Sequence, residues 1–373
     1  MKIAVMSSHT PSLFWFRMDM MSYFRSIGHD VIAIGDQSES VWSDRFLEKG
    51  IRYREAFIQR NGINPIQDIK TLGSLRNILR EECPDKVFVY QAKTVIYGTL
   101  AANCEGITEV YPLIAGVGSV FLSDSMKSRI IKRILCAEYR FGLRKCPYIF
   151  FQNQDDVNLF AESRIIRKQR IAILRGSGVN LDKFQVQKLP QQFRILCIAR
   201  LIKDKGVVEY LEACKEIKKR HPEIRCLLVG PYDTNPSAIQ PEELNSYLAD
   251  GTVEYFGEQS DVRPFFADAS VFILPSYREG TPKTVLEAMA SGRAIITTNA
   301  PGCRETVTDG VNGFLVPVKD IKSIVEAVEQ LYANPALLKR MAESGRKMVE
   351  ELFDVKKVNQ TIAETMRLLN EES

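Results

Sequence analysis

VFILPSYREGTPKTVLEAMA, residues Val271–Ala290, reads as a strand, a loop and a helix in direct succession. Val271–Leu274 is an unbroken apolar run, the pattern of a strand covered on both faces. Ser276–Tyr277–Arg278–Glu279–Gly280 is a polar loop ending in glycine. Thr281–Pro282 predicts a helix start, with a hydroxyl at the capping position and a proline in the first turn, where the missing N–H costs nothing. Val285, Leu286, Ala288 and Met289 supply an apolar face. A helix start such as Thr281–Thr284 offers N–H groups and a positive dipole end to phosphate. Glu279 in the loop and Glu287 farther along the helix would repel that phosphate. Such carboxylates instead suit neutral hydroxyls, as on a ribose or a sugar.

The same strand-then-helix unit repeats along the chain. Ile3–Met6, Val31–Ile34, Ile51–Phe57, Val87–Tyr90, Glu109–Ile114 and Tyr148–Gln152 read as strands, with helices over Leu13–Ile27, Val41–Lys49, Ile66–Glu82 and Thr94–Asn103. A second series runs through Ile195–Ala199, Cys226–Val229, Val253–Phe256, Val271–Leu274, Ala294–Thr297 and Phe314–Val316. Alternation of this kind predicts an α/β protein with parallel sheets and helices on both faces. Two series predict two Rossmann-like domains, over residues 1–185 and 186–352, with the polar stretch Gln185–Gln192 as the hinge. Helices are expected over Ile321–Tyr332, Pro335–Leu352 and Val355–Leu369.

Composition agrees. A chain of 373 residues is too long for one small core. The net charge of +4 is mild and gives no reason to expect nucleic acid as a partner. Eight cysteines include no C-x-x-C pair, and three histidines are scattered. This fits reduced, mostly buried thiols in the cytosol rather than disulfides or a metal centre. Met1–Met6 is too short for a signal peptide, and no run of ~18 apolar residues is present to span a membrane.

Chemistry concentrates in the second series. IARLIKDKG, Ile198–Gly206, places Arg200 and Lys205 at the end of a strand, where open α/β sheets bind ligands. Arginine offers paired donors to phosphate and lysine a compact charge. The sequence holds no D-x-D metal motif. Fixed cations and N–H dipoles would then neutralise a leaving phosphate, so no metal or other cofactor is expected.

Arg200–Gly206 and the Glu279/Glu287 pair, with seven residues between the glutamates, resemble the retaining glycosyltransferases of the two-domain GT-B fold. More narrowly, they resemble family 4 (glycosyl transferases group 1). That bacterial group builds capsule, O-antigen and other lipid-linked glycans. Leu228–Pro231, Asn235–Ser237, Tyr255–Gly257 and Ala300–Glu305 match the same family. The resemblance implies two Rossmann-like domains facing a central cleft, residues 1–185 for the acceptor and 186–352 for a nucleotide-sugar donor. The final helix, about 353–373, would pack back on the first domain. It implies a hexosyltransferase in which Arg200 and Lys205 hold the donor diphosphate, Glu279 orients the sugar and Glu287 binds the ribose. Gly230 and Phe256 lie on loops facing the nucleobase. Gly280, Thr281 and Thr284 complete the donor site. Gly302 and Gly313 equally suit turns.

The first domain is less typical. Phe16–Arg17 resembles a pair found in enzymes acting on lipid-linked sugars, which makes Arg17 a candidate for acceptor phosphate. Lys93, after a strand, is a second candidate. Gly116 and Gly118 permit close backbone approach to the diphosphate or sugar. Ala115 stands where many relatives carry a histidine, which leaves the donor geometry open. Ser125–Cys146 is rich in Lys and Arg with apolar residues at helical spacing. It fits either an anionic membrane surface or a solvated helix packed on the sheet. Leu13–Phe16 fits a second membrane contact or plain core.

The leading expectation is a cytoplasmic enzyme, peripheral on the inner membrane, that transfers a sugar from a UDP-sugar to a lipid-linked glycan. A sugar-nucleotide epimerase or hydrolase, and a non-catalytic nucleotide-sugar-binding partner, are the alternatives. An NAD-dependent oxidoreductase would require a complete G-x-G-x-x-G, which the sequence lacks.

Overall fold

The computed structural model describes the chain except residues 60, 61, 63, 118–120, 122–125, 168, 235–236 and 370–373, and describes residues 126–128 by their backbone alone. The chain forms two compact bodies, Met1–Ser177 with Val355–Ser373, and Gly178–Asp354.

The first body is built on a sheet of seven strands: β1 (Lys2–Ser7), β2 (Asp30–Gly35), β3 (Arg52–Glu55), β4 (Lys86–Tyr90), β5 (Val110–Ile114), β6 (Tyr148–Phe151) and β7 (Arg170–Ile173). Their order is β3-β2-β1-β4-β5-β6-β7. Successive side chains point to opposite faces of a strand. Ile3 and Val5 of β1 therefore enter one apolar core while Ala4 and Met6 enter another. Both faces are buried, as unbroken apolar runs require. β7 escaped sequence reading because its two isoleucines, Ile171 and Ile173, stay exposed at the sheet edge. The predicted helix over Thr94–Asn103 starts as a wider π-helical turn, Thr94–Gly98, before α-helix Thr99–Cys104. Helix Val355–Thr365 contributes Val358, Ile362 and Ala363 to the same core as Leu13, Met20 and Phe24 of helix Thr10–Ser26.

The second body has six strands: β8 (Arg194–Ile198), β9 (Arg225–Val229), β10 (Glu254–Tyr255), β11 (Val271–Leu274), β12 (Ala294–Thr298) and β13 (Gly313–Val316). Their order is β10-β9-β8-β11-β12-β13. Ile195 and Cys197 of β8 face one core, Leu196 and Ile198 the other. Helix Lys283–Ala290 buries Val285, Leu286, Ala288 and Met289 in the latter.

The boundary between bodies differs from the sequence expectation. Residues 178–185 belong to the second body: Val179 N–H donates to the Phe353 carbonyl at 2.8 Å, and Phe184 is buried in its core. Gln185–Gln192 is not where the chain crosses between bodies. The fully buried Arg293 donates from Nη2 to the Gln187 and Lys188 carbonyls, each at 3.1 Å, and fastens this stretch to the second body. Six of the eight cysteines are buried, while Cys83 and Cys104 are exposed.

Candidate active site

In the second sheet the strand order reverses at β8. β9 lies on one side of it and β11 on the other. The carboxyl ends of the two strands flanking such a reversal form the ligand crevice of an open α/β sheet. Lys205 follows β8 and Glu279 follows β11. Their side chains meet, with Lys205 Nζ donating to Glu279 Oε1 in an ion pair.

Backbone geometry holds this pair. Gly206 has φ +70°, and a Cβ there would strike the Pro275 carbonyl oxygen, so glycine lets the lysine loop close on the end of β11. Ser276 Oγ donates to the same Glu279 oxygen at 2.9 Å. The Ser276 carbonyl in turn accepts from Thr298 Oγ1. Glu279 N–H donates to the Pro301 carbonyl at 2.9 Å, and Gly302, at φ +84°, lies against the Glu279 carbonyl so closely that any side chain would collide. Gly302 is thus a turn glycine that fixes the glutamate. Ser276 was not singled out from sequence; its position just after β11 was the available signal.

Arg200 does not join this cluster. Its Nη1 pairs with Asp233 Oδ2 at 2.7 Å, and its side chain is 45% exposed. Gly230, assigned to the donor by resemblance, has φ +145° and packs where a Cβ would strike the Ala199 carbonyl. Its glycine requirement is therefore met by strand-end packing. Phe256 is part-exposed and its ring packs edge-on against Phe265 at 5.0 Å. Gly280 is buried beside the pair, and Thr281 and Thr284 are half-buried at the helix start. Thr281 is not the cap. The helix begins at Lys283 with extended Pro282 in the cap position and no side-chain capping bond.

Glu287 is buried, 8% exposed, with Lys283 Nζ at 3.9 Å. Burial raises its pKa, while Lys283 and Lys183 pull it back. A raised carboxyl pKa means that the folded state binds the proton more tightly than the unfolded chain. Ionised Glu287 therefore costs stability above its folded pKa, and the cost fades as pH falls toward its unfolded value. Glu287→Gln is expected to melt higher than the parent at neutral pH, with the gap closing toward pH 4, the ordinary carboxylate range. The same variant tests the ribose-binding role that the resemblance implies for Glu287, which predicts weaker nucleotide binding. Thermal melts across pH, with and without UDP, check both signs.

In the first sheet the order reverses between β1 and β4. Gln91, after β4, holds a left-handed backbone at φ +71°. Its Oε1 accepts from both Ser7 Oγ and Ser8 Oγ at 2.9 Å. Sequence reading missed Gln91, since nothing in its residue type announces a positive φ. Gly116 follows β5 with φ +124°. Gly118 lies outside the described residues.

The two acceptor-phosphate candidates are both largely buried. Arg17 lies on the helix face shared with Leu13, Met20, Met21 and Phe24, and is 2% exposed. Its guanidinium sits 4.9 Å from the Tyr90 ring centre, and burial works against its charge. Lys93 is committed to Asp68 at 2.5 Å, with both side chains nearly buried. On the cationic helix Met126–Gly142, Ile130, Ile134 and Phe141 are exposed, as are Arg129, Arg133 and Arg140. Leu13 is core, Phe14 packs on Trp42 and Phe46, and Trp15 and Phe16 are exposed. Among the described residues no helix is long and apolar enough to cross a membrane.

Residues 179–348 match the family described as Glycosyl transferases group 1. The chain is a glycosyltransferase of the GT-B fold. The Campylobacter jejuni N,N'-diacetylbacillosaminyl-diphospho-undecaprenol alpha-1,3-N-acetylgalactosaminyltransferase is 26% identical over 362 residues, which is 92% of this chain and 93% of that one. The Escherichia coli UDP-Gal:alpha-D-GlcNAc-diphosphoundecaprenol alpha-1,3-galactosyltransferase is 25% identical over 313 residues, 79% and 78% of the two chains. Sucrose-phosphate synthase from Thermosynechococcus elongatus superposes with a TM-score of 0.81 over 99% of this chain and 98% of its own, at 16% identity. This glycosyltransferase thus shares its fold across almost its whole length with an enzyme of very different sequence.

Proposed function

We propose that this glycosyltransferase moves a sugar from a nucleotide-sugar, a UDP-sugar first among them, to a hydroxyl of a polyprenyl-diphosphate-linked glycan, with retention of configuration and without a metal ion. The observation that carries the reading is the Lys205–Glu279 pair at the strand-order reversal of the second body. On donor binding the Lys205 ammonium exchanges Glu279 for the departing diphosphate, and Glu279 is released to a sugar hydroxyl. Glu287 accepts from the ribose hydroxyls. The bond from the anomeric carbon to phosphate breaks, the acceptor oxygen bonds to the same face of that carbon, and the leaving phosphate oxygen takes the acceptor's proton. Fixed cations stabilise the negative charge as it develops.

The acceptor class rests on the two relatives, whose names both specify diphospho-undecaprenol substrates, and one of which names UDP-Gal. Both names specify alpha-1,3 linkages, the outcome that retention gives when the donor sugar is α-linked. A site at the cytoplasmic face of the inner membrane is supported by helix Met126–Gly142. Its exposed Ile130, Ile134 and Phe141 form a stripe beside Arg129, Arg133 and Arg140, a pattern suited to an anionic interface. The test is transfer from a panel of UDP-sugars to polyprenyl-diphosphate-linked sugars in excess chelator. The expected product is α-linked, at a rate unchanged by the chelator. A β-linked product, or turnover lost on chelation, overturns the respective part. Donor consumption without acceptor would favour an epimerase or hydrolase.

A further inference from the structure

The first body holds a second concave site at the opposite end of its sheet from Gln91 and Gly116. A cavity of about 430 Å3 opens at the amino ends of β5, β6 and β7. Five segments converge on it. Glu109 precedes β5, Tyr148 opens β6 and Arg170 opens β7. Arg144 and Lys145 come from the turn after helix Met126–Gly142. Arg367, left-handed at φ +52°, follows helix Val355–Thr365.

Four cations thus face one carboxylate, and that carboxylate is already engaged. Glu109 Oε2 accepts from Tyr111 Oη at 2.5 Å and lies 3.5 Å from Lys86 Nζ. Among the described residues, none of Arg144, Lys145, Arg170 and Arg367 forms an ion pair with an acid. Arg170 is oriented by donating from Nη1 to Tyr148 Oη at 3.1 Å. All four cations are exposed to solvent, and like charges gathered around a hollow focus their field there and draw in anions. Three guanidinium forks offer the planar paired donors that match phosphate oxygens. The volume falls within the range of pockets that hold small ligands.

We propose that this pocket binds a phosphate group, either free in solution or carried on the headgroup of an anionic phospholipid. The site stands apart from the transfer reaction, so its failure would leave the proposed function untouched.

The experiment compares the full chain with Arg170→Ser/Arg367→Asn, asparagine being chosen because it tolerates a left-handed backbone. Neither position lies on helix Met126–Gly142, and the candidate active site is identical in both proteins, so any difference belongs to the pocket. Inorganic phosphate is titrated calorimetrically against chloride at constant ionic strength. In a second arm, the proteins are sedimented with phosphatidylglycerol vesicles and with phosphatidylcholine vesicles. The variant is expected to bind at least about tenfold more weakly, as loss of charge-assisted hydrogen bonds implies. A loss confined to the phosphate arm identifies a soluble anion. A loss in the phosphatidylglycerol arm identifies the headgroup. Unchanged binding in the variant, or no binding of either probe by the parent, overturns the proposal.

Lys322→Ser/Lys339→Ser removes two exposed charges from the second body. An equal loss there would also overturn the proposal, since net charge alone would then explain the effect. Melting in chloride buffer verifies folding. If the first variant does not fold, Arg144→Ser/Lys145→Ser is read by the phosphate arm against the same criteria.

Discussion

Lys205→Ala is expected to lower the rate of sugar transfer by roughly 10²–10³-fold, the scale of losing one preorganised group at a developing charge. The fold should survive, because the lysine sits in a surface turn and its backbone is set by Gly206 rather than by its own side chain. UDP affinity, read by calorimetry, is expected to fall at least about tenfold, since the ammonium would meet the diphosphate directly. Glu279 loses its counter-charge in the variant but keeps the Ser276 hydroxyl. The double variant Lys205→Ala/Glu279→Ala separates the two roles. In stability the two changes should be non-additive, because the side chains touch. In transfer the double variant should be no faster than Lys205→Ala. Near-parental transfer by Lys205→Ala would remove the lysine from the mechanism, whatever the structure places beside it.

The fold was readable because each central strand is covered on both faces and so appears as an unbroken apolar run. Val271–Leu274 and Val87–Tyr90 could hardly be placed otherwise. Edge strand β7 could not be found in the same way, since its isoleucines face outward. The division between the bodies was misplaced for a related reason. Gln185–Gln192 has the composition of a linker, but its contribution lies in main-chain carbonyls taken by buried Arg293, and composition does not record where carbonyls point. Within the site, Lys205 and Glu279 were legible as residues because each follows a readable strand. Their pairing was not, since it depends on β8 and β11 being neighbours while β9 and β10 intervene in sequence. Arg17 shows the converse. Its spacing from Leu13, Met20, Met21 and Phe24 puts it on the buried helix face, a pattern that reading Phe16–Arg17 as an acceptor-phosphate motif leaves unused.

Gly302→Ala is expected to reduce transfer by about 10²-fold, the scale of an ångström-sized misplacement of a reacting group. Two costs act at this position, and a second glycine separates them. Gly302 and Gly310 both adopt left-handed backbone, at φ +84° and +75°. An alanine at either site should cost about 1–2 kcal/mol of backbone strain. At Gly310 nothing lies within 4 Å of the new methyl group, so strain is the whole effect. At Gly302 the methyl group meets the Glu279 carbonyl, which is backbone and cannot swing aside like a side chain. The 300–302 turn also accepts the Glu279 N–H, through Pro301, so relief of the clash must move Glu279 and loosen its hold on Lys205. Both alanine variants should therefore melt lower than the parent, Gly302→Ala by more, while only Gly302→Ala loses most of its transfer rate. If the two variants lost stability and kept activity to the same degree, close packing behind Glu279 would have no part in positioning it.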